Sequence, residues 1–441
     1  PNIDINIKCG NSLISRYALD SDIKQIAKSA KWNIFSYQNA VEAYRKSSDK
    51  MVKHELEKLI QNIKTNYVQT IQQRNSKLQK YYKLKQEYDY RFPENGLFVH
   101  EPEADYGGNL EKREQEKQRI VTEITKILAE IEAEKTFFET HNAFEWRFEF
   151  PEVLNEDGDF IGFDVVIGNP PYVDLREINS ELIYYYKDNY KTSSNRVNLF
   201  SLFIEKFHTI LKTTGKTSFI VPRNIIRSNE YFNIREFILQ KTSILNLLSF
   251  KLGVFDDVTS EVVILVLDNV HKINNKINVY NFDKIIDYKI NPTLIPQDIF
   301  ENSLGKRFNI YLNEDKVLLL KKIDLKSFKL EIISETLQGI IAGDEKKHIV
   351  KSKLNDNYKP RLRGKSISKY YTPDSAKEFI YFVEGTKVLT RSRKKENFEV
   401  PKKILTQHVS GKIIATIDYN SFYYMQTING TIIKNGKYLP E

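Results

Sequence analysis

Residues Phe163 to Val173 read FDVVIGNPPYV. The first six residues are mostly β-branched or aromatic, the composition of a strand, and the apolar run is nearly continuous, as in strands buried on both faces of a parallel sheet. Asn169, Pro170, Pro171 and Tyr172 then stop it. The Asn169 amide oxygen and the Pro170 carbonyl are two acceptors held close together by a stiff backbone, and they match an exocyclic amine with two hydrogens. Tyr172 offers a flat face on which a planar base can stack. Asn-Pro-Pro is also ordinary turn chemistry, and a following tyrosine can be a packing residue; at this point both readings stand.

Downstream the pattern alternates. NLFSLFIEKFHTILK reads as an amphipathic helix, GKTSFIVP as a buried strand, NEYFNIREFILQK as a helix, and ILNLLSFK, SEVVILVLDN and KINVYNF as strands. This order predicts an α/β domain with a twisted, mainly parallel sheet covered by helices on both faces, and ligands in such sheets bind beyond the carboxyl ends of the strands. Upstream, INIKCGNSLI (Ile5–Ile14) reads as a strand and a turn. From about Ser21 to Arg91 neither Gly nor Pro occurs, and Leu56, Leu59, Ile60, Ile63, Tyr67 and Ile71 recur at helical spacing. A breaker-rich segment follows, then a second helix from about Leu110 to Thr140 with Ile120, Ile124, Ile127 and Ile131 on one face. The expectation is a long helical hairpin inserted into the α/β domain. Past residue 335, short strand-like runs punctuated by Gly, Asp and Asn predict an α+β, β-rich domain with basic loops. The expected boundaries are residues 1–20 for the start of the core, 21–143 for the arm, 144–290 for the catalytic core, 291–335 for a connector and 336–441 for the C-terminal domain.

The formal charge of the 441 residues is +9. Ile340 to Glu441 hold 20 Lys or Arg against 10 Asp or Glu, so the basic excess belongs to the C-terminal quarter. A local excess of this kind fits a polyanion such as nucleic acid, although a solvated lysine-rich surface has the same composition. Cys9 is the single cysteine and the seven histidines lack zinc-site spacing, so neither disulfides nor a metal is expected. No run approaches the length needed to cross a bilayer, and a cytoplasmic location is expected. The chain starts at Pro1 and stops at GKYLPE, as a piece of a longer protein would.

FDVVIGNPPYV resembles motif IV of the gamma-type N6-adenine DNA methyltransferases. NLFSLFIEKFHTILKTTGKTSFIVPRNII is similar to their motifs V and VI, and LLSFKLGVFDDVTSEVVILVL to motifs VII and VIII. CGNSLI resembles motif III, and FEWRFEFPEVL resembles the lead-in of type IIG restriction-modification enzymes and phage-exclusion methyltransferases. KPRLRGKSISKYY and PKKILTQHVSGKIIATID are similar to their target recognition domains. This covers nearly the whole chain apart from the helical arm.

The resemblance implies a Rossmann-like methyltransferase sheet, here partial, and transfer of a methyl group from S-adenosylmethionine to N6 of an adenine flipped out of double-stranded DNA. It makes Asn169, Pro170, Pro171 and Tyr172 catalytic, Tyr172 and Phe255 the two walls around the base, and Gly10 and Asn11 cofactor contacts. Arg361, Arg363, Lys365, Lys369, Tyr370, Lys394, Lys395, Gln407 and His408 become DNA-binding candidates, since arginine and glutamine can read base edges while lysines hold phosphates. The glycine-rich methyl-donor loop of the family is absent before Asn11 and is expected N-terminal to Pro1, as is any nuclease domain. Alone, the chain is therefore expected to be inactive. RNA or protein-glutamine methyltransferases share the Asn-Pro-Pro-Tyr motif, and a non-catalytic DNA-binding module is the third possibility.

Overall fold

The structure, a computed structural model, describes residues 6–19, 34–72, 75–93, 109–193, 198–251, 254, 261–282, 291–385, 389–434 and 438. The polypeptide divides into two compact units, Pro1–Val317 and Leu318–Glu441.

In the first unit six strands form one sheet: β1 (Phe163–Gly168), β2 (Leu211–Pro222), β3 (Ser243–Phe250), β4 (Val262–Asp268), β5 (Lys276–Phe282) and β6 (Thr293–Pro296), in the order β1-β2-β4-β3-β5-β6. β1 runs parallel to β2, and β3 to β5. β4 lies antiparallel between β2 and β3, and β6 closes the far edge antiparallel to β5. Four strands thus share one direction and two oppose it. The numbering of the helices starts before the sheet: α1 (Ile34–Lys46), α2 (Lys50–Gln72), α3 (Ser76–Arg91), α4 (Asn109–Thr140), α5 (Ser180–Asn189), α6 (Leu199–Ile210) and α7 (Phe232–Lys241).

Among the described residues β1 pairs only with β2, and Val165 and Ile167 are 59% and 78% exposed. Described helices do not cover both faces of the sheet. Phe219, Val221, Leu247, Val263, Leu265 and Val279 join residues of α6 and α7 in the main core. The alternate residues face the other way and are only half-buried: Val266, paired with Ser218 opposite Ile167, and the Ile220–Ile264 pair.

Ile5–Ile14 forms no strand among its described residues; Asn11 makes one isolated bridge to Ala143. The described part of the long glycine-free stretch is three helices, α1 to α3, and not one. Ile60 and Ile63 of α2 pack with Tyr37, Val41 and Tyr44 of α1, whereas α3 buries nothing fully. It is joined to α4 by ion pairs, Lys77 to Glu134, Lys80 to Glu123 and Arg91 to Glu116, each half-exposed and worth at most about 1 kcal/mol. No described helix is long and apolar enough to cross a membrane.

The second unit contains two four-stranded sheets. One has the order β13-β9-β10-β8, with β8 Ile349–Val350, β9 Tyr358–Leu362, β10 Glu378–Tyr381 and β13 Tyr423–Tyr424; the other has β12-β11-β14-β7, with β7 Ser334–Gln338, β11 Lys403–Gln407, β12 Ala415–Asp418 and β14 Ile428–Ile433. Their core gathers Leu362, Ile380, Phe398, Leu405, Tyr423 and Tyr424. Arg361 stands on β9, an inner strand, and not on one of the basic loops.

Candidate active site

β1 delivers Asn169 to the carboxyl end of the sheet, where Gly168 still pairs with Phe219 of β2. Asn169 is exposed, and no described residue hydrogen-bonds its side-chain amide. Pro170 is buried, and no described donor reaches its carbonyl. Among the described residues both acceptors are thus open to a donor.

Beyond the two prolines the backbone is tied down. The Tyr172 hydroxyl donates to the Ile220 carbonyl on β2 at 3.0 Å. Its ring stands at 85° to Phe200, centroids 6.4 Å apart, and Phe200 in turn meets Tyr231 at 5.1 Å. Burial raises the Tyr172 phenol above its ordinary value, so the hydroxyl keeps its proton and remains a donor. The Leu199 amide donates to Val173 O at 2.9 Å, and Asp174 bridges Asn198, which caps α6. The Asp174 carboxylate also accepts from the Arg176 amide and pairs with its guanidinium at 2.7 Å. Phe200 and Tyr231 were not identified from sequence; as apolar positions of a helix and a turn they carry no local signal of a site.

Gly10 and Asn11 sit against the α5 region. A Cβ on Gly10 would lie 2.7 Å from the Phe144 ring, so the glycine is required by close approach. Asn11 Oδ1 accepts from the Leu13 amide at 3.2 Å and its Nδ2 donates weakly to the Tyr186 hydroxyl at 3.5 Å. Asn11 is thus largely committed within the chain, and these residues do not by themselves enclose a pocket for S-adenosylmethionine. Phe255 lies outside the described residues. Among the described residues no cluster of side chains could hold a metal ion.

The C-terminal candidates separate into two groups. Arg361 is buried on β9 and pairs with Glu378, an ion pair with the arginine side chain fully covered. The Gln407 amide donates to Gly364 O and Ile367 O at 2.6 and 3.1 Å. Both are internal struts, which corrects their reading as surface contacts. Arg363 is exposed yet engaged by Glu345 and Glu378. Lys365, Lys369, Tyr370, Lys394, Lys395 and His408 are exposed, with Lys369 over the Tyr370 ring and Lys395 paired with Glu399.

Residues 77–255 match the family model described as Eco57I restriction-modification methylase. The match includes α3 and α4, which the motif-by-motif resemblance had left aside. RM.MjaORFECS2P of Methanocaldococcus jannaschii, assigned by name to the type II restriction enzymes and methyltransferases, is 26% identical over 87% of this chain and 32% of its own length. The type II restriction enzyme and methyltransferase RM.Eco57I of Escherichia coli is 29% identical over 29% of this chain and 13% of its own. The chain therefore spans 32% or less of the length of these two curated relatives. Among solved structures, that of the type IIL restriction-modification enzyme MmeI in complex with DNA aligns with 67% of this chain and 46% of its own, at 10% identity and a TM-score of 0.40.

Proposed function

We propose that this chain, which carries a restriction-modification methylase domain over residues 77–255, is the base-holding part of an adenine-specific DNA methyltransferase of the type IIG kind. The observation that carries the reading is the pair of acceptors, Asn169 Oδ1 and the Pro170 carbonyl, that have no partner among the described residues, beside a tyrosine ring held by its own hydroxyl.

The adenine N6 lone pair is delocalised into the ring and is a poor nucleophile. Two acceptors that take both N–H bonds favour a pyramidal nitrogen, in which the lone pair is localised and points away from the ring. The contribution is one of orientation and electrostatics, and it is largest in the transition state. Tyr172 forms one wall of the base site, and Phe255 is proposed as the other. An adenine in duplex DNA reaches such a site only by leaving the stack. S-adenosylmethionine is the donor implied by the family, with Gly10 and Asn11 as its proposed contacts in this chain. Lys365, Lys369, Tyr370, Lys394, Lys395 and His408 are proposed to meet the DNA, mainly its phosphates.

The test is methylation of duplex DNA by the full-length protein, read by sequencing of modified bases. Asn169→Ala is expected to lower the rate about a hundred- to a thousand-fold, the loss typical of one transition-state hydrogen bond. Methylation of RNA or of glutamine in place of adenine would overturn the reading.

A further inference from the structure

Next to the base site, the structure has a basic cavity that the catalytic reading does not use. β2 runs three residues past the last pairing with β1, to Pro222, and Arg223 follows directly. Arg223, Ile226 and Arg227 from this turn and Arg307, Phe308 and Tyr311 from a segment more than seventy residues later line a cavity of about 410 Å³. Tyr172 is tethered at Ile220, so the cavity mouth is about 10 Å further along the strand direction, at about 3.3 Å per residue.

The charges around it do not balance. Arg223 is buried, with Glu261 at 2.7 Å and its other end on the Tyr311 hydroxyl. Arg235 behind it is fully buried and bonds only carbonyls, those of Ile225, Ser228 and Gly305. Burial and Arg307 lower its pKa to about 10, so it stays cationic at neutral pH. Arg307 is exposed and donates to the neutral Asn229, and Arg227 is exposed with no ion pair among the described residues. Among the described residues these four guanidinium groups thus have one bonded carboxylate between them. Buried charge is ordinarily compensated, and guanidinium forks match phosphate oxygens. The apolar parts of the lining, Ile226, Phe308 and the Tyr311 ring, suit a deoxyribose.

We propose that this cavity holds a phosphodiester of the target DNA strand, roughly three nucleotides from the base at Asn169 by the duplex rise of about 3.4 Å per nucleotide. It rests on the reading of the chain as acting on DNA. Its role is positional: phosphate contacts fix register, and this one anchors the strand beside the point where a base must leave it.

The experiment measures binding of a fluorescent random-sequence DNA duplex to the full-length protein by anisotropy, from about 50 to about 200 mM salt, the range over which phosphate contacts are lost. Arg227→Gln/Arg307→Gln is the test variant; both side chains are exposed, so the fold should survive, which its thermal midpoint checks. Loss of one phosphate contact is expected to reduce the slope of log affinity against log salt by about 0.9, so the deficit relative to wild type shrinks about 3.5-fold across this range. Arg227→Lys/Arg307→Lys should regain the slope with part of the affinity, since lysine keeps the charge without the fork. A wild-type slope in the double glutamine variant, with DNA bound and methylated normally, overturns the cavity proposal alone. A wild-type protein that binds no duplex DNA overturns it together with the functional reading.

Discussion

Lys403 and Asp418 face each other across β11 and β12 with both side chains at 0% exposure, and their charges are 2.5 Å apart. Lys403 also donates to Phe398 O at 2.6 Å, while the two Asp418 oxygens accept from the amides of Asn420 and Phe422 at 2.9 Å each. Burial pulls the lysine's pKa below its ordinary value in spite of the partner, so desolvation opposes this pair as strongly as attraction favours it. Lys403→Met removes the cation and leaves a carboxylate in the core with only two backbone donors. The cost of stranding a buried charge is about 3–5 kcal/mol. A unit of this length is expected to have roughly 6–19 kcal/mol in all, at about 0.05–0.15 kcal/mol per residue. Both tryptophans, Trp32 and Trp146, belong to the first unit, so tryptophan fluorescence is the wrong probe. Hydrogen exchange of peptides from β11, β12 and β14, measured across a urea series, is the right one. Lys403→Met/Asp418→Asn should recover part of the loss, because a neutral amide in the same place costs about 1–3 kcal/mol. A loss below about 1 kcal/mol in the single variant, the range of surface pairs, would refute the reasoning, as would a double variant no better than the single.

Two further predictions concern the first unit. Burial lowers the Lys206 pKa to about 8, with Glu145 opposing the shift. Its folded value lies below the unfolded one, so the unfolded chain binds more protons between about pH 8 and 10.4, and stability rises with pH through that window. Lys206→Met should raise stability at pH 7 by on the order of 1–3 kcal/mol and flatten the rise; an unchanged urea midpoint at both pH values would contradict it. Tyr172→Phe keeps the ring and loses the hydroxyl bond to Ile220, a contribution of about 1 kcal/mol, so DNA methylation by the full-length protein should slow about five-fold. A loss as large as that of Asn169→Ala would mean that the hydroxyl acts on the substrate and not through the ring's position.

Local pattern was sufficient for the strand before Asn169, for the ends of α4 and for most strands beyond it, because strand and helix periods are properties of neighbouring residues. Placement was another matter. That β4 inserts between β2 and β3 depends on pairing across the sheet, and that Val165 and Ile167 are bare depends on what stands beside them. Arg361 looked like a surface arginine until β9 placed it inside the unit opposite Glu378. The cavity of Arg223, Arg227 and Arg307 has no sequence signature, since its two halves meet only in three dimensions. Asn169 and Tyr172 were legible for the opposite reason: four adjacent residues hold the whole arrangement of acceptors and ring.

The position of β1 has a consequence for motion. Among the described residues it hydrogen-bonds to one neighbour and exposes side chains on one face, so its amides should be less protected than those of β2 and β4 inward of it. Asn169 is thus mounted on an edge strand of the described sheet. Its stillness comes from downstream, through two prolines, the Tyr172 tether and the Asp174–Asn198 stitch to α6. The motif behaves as a clasp fastened at its far end, and loosening α6 would blur the amide's aim before it disturbed the strand that carries it.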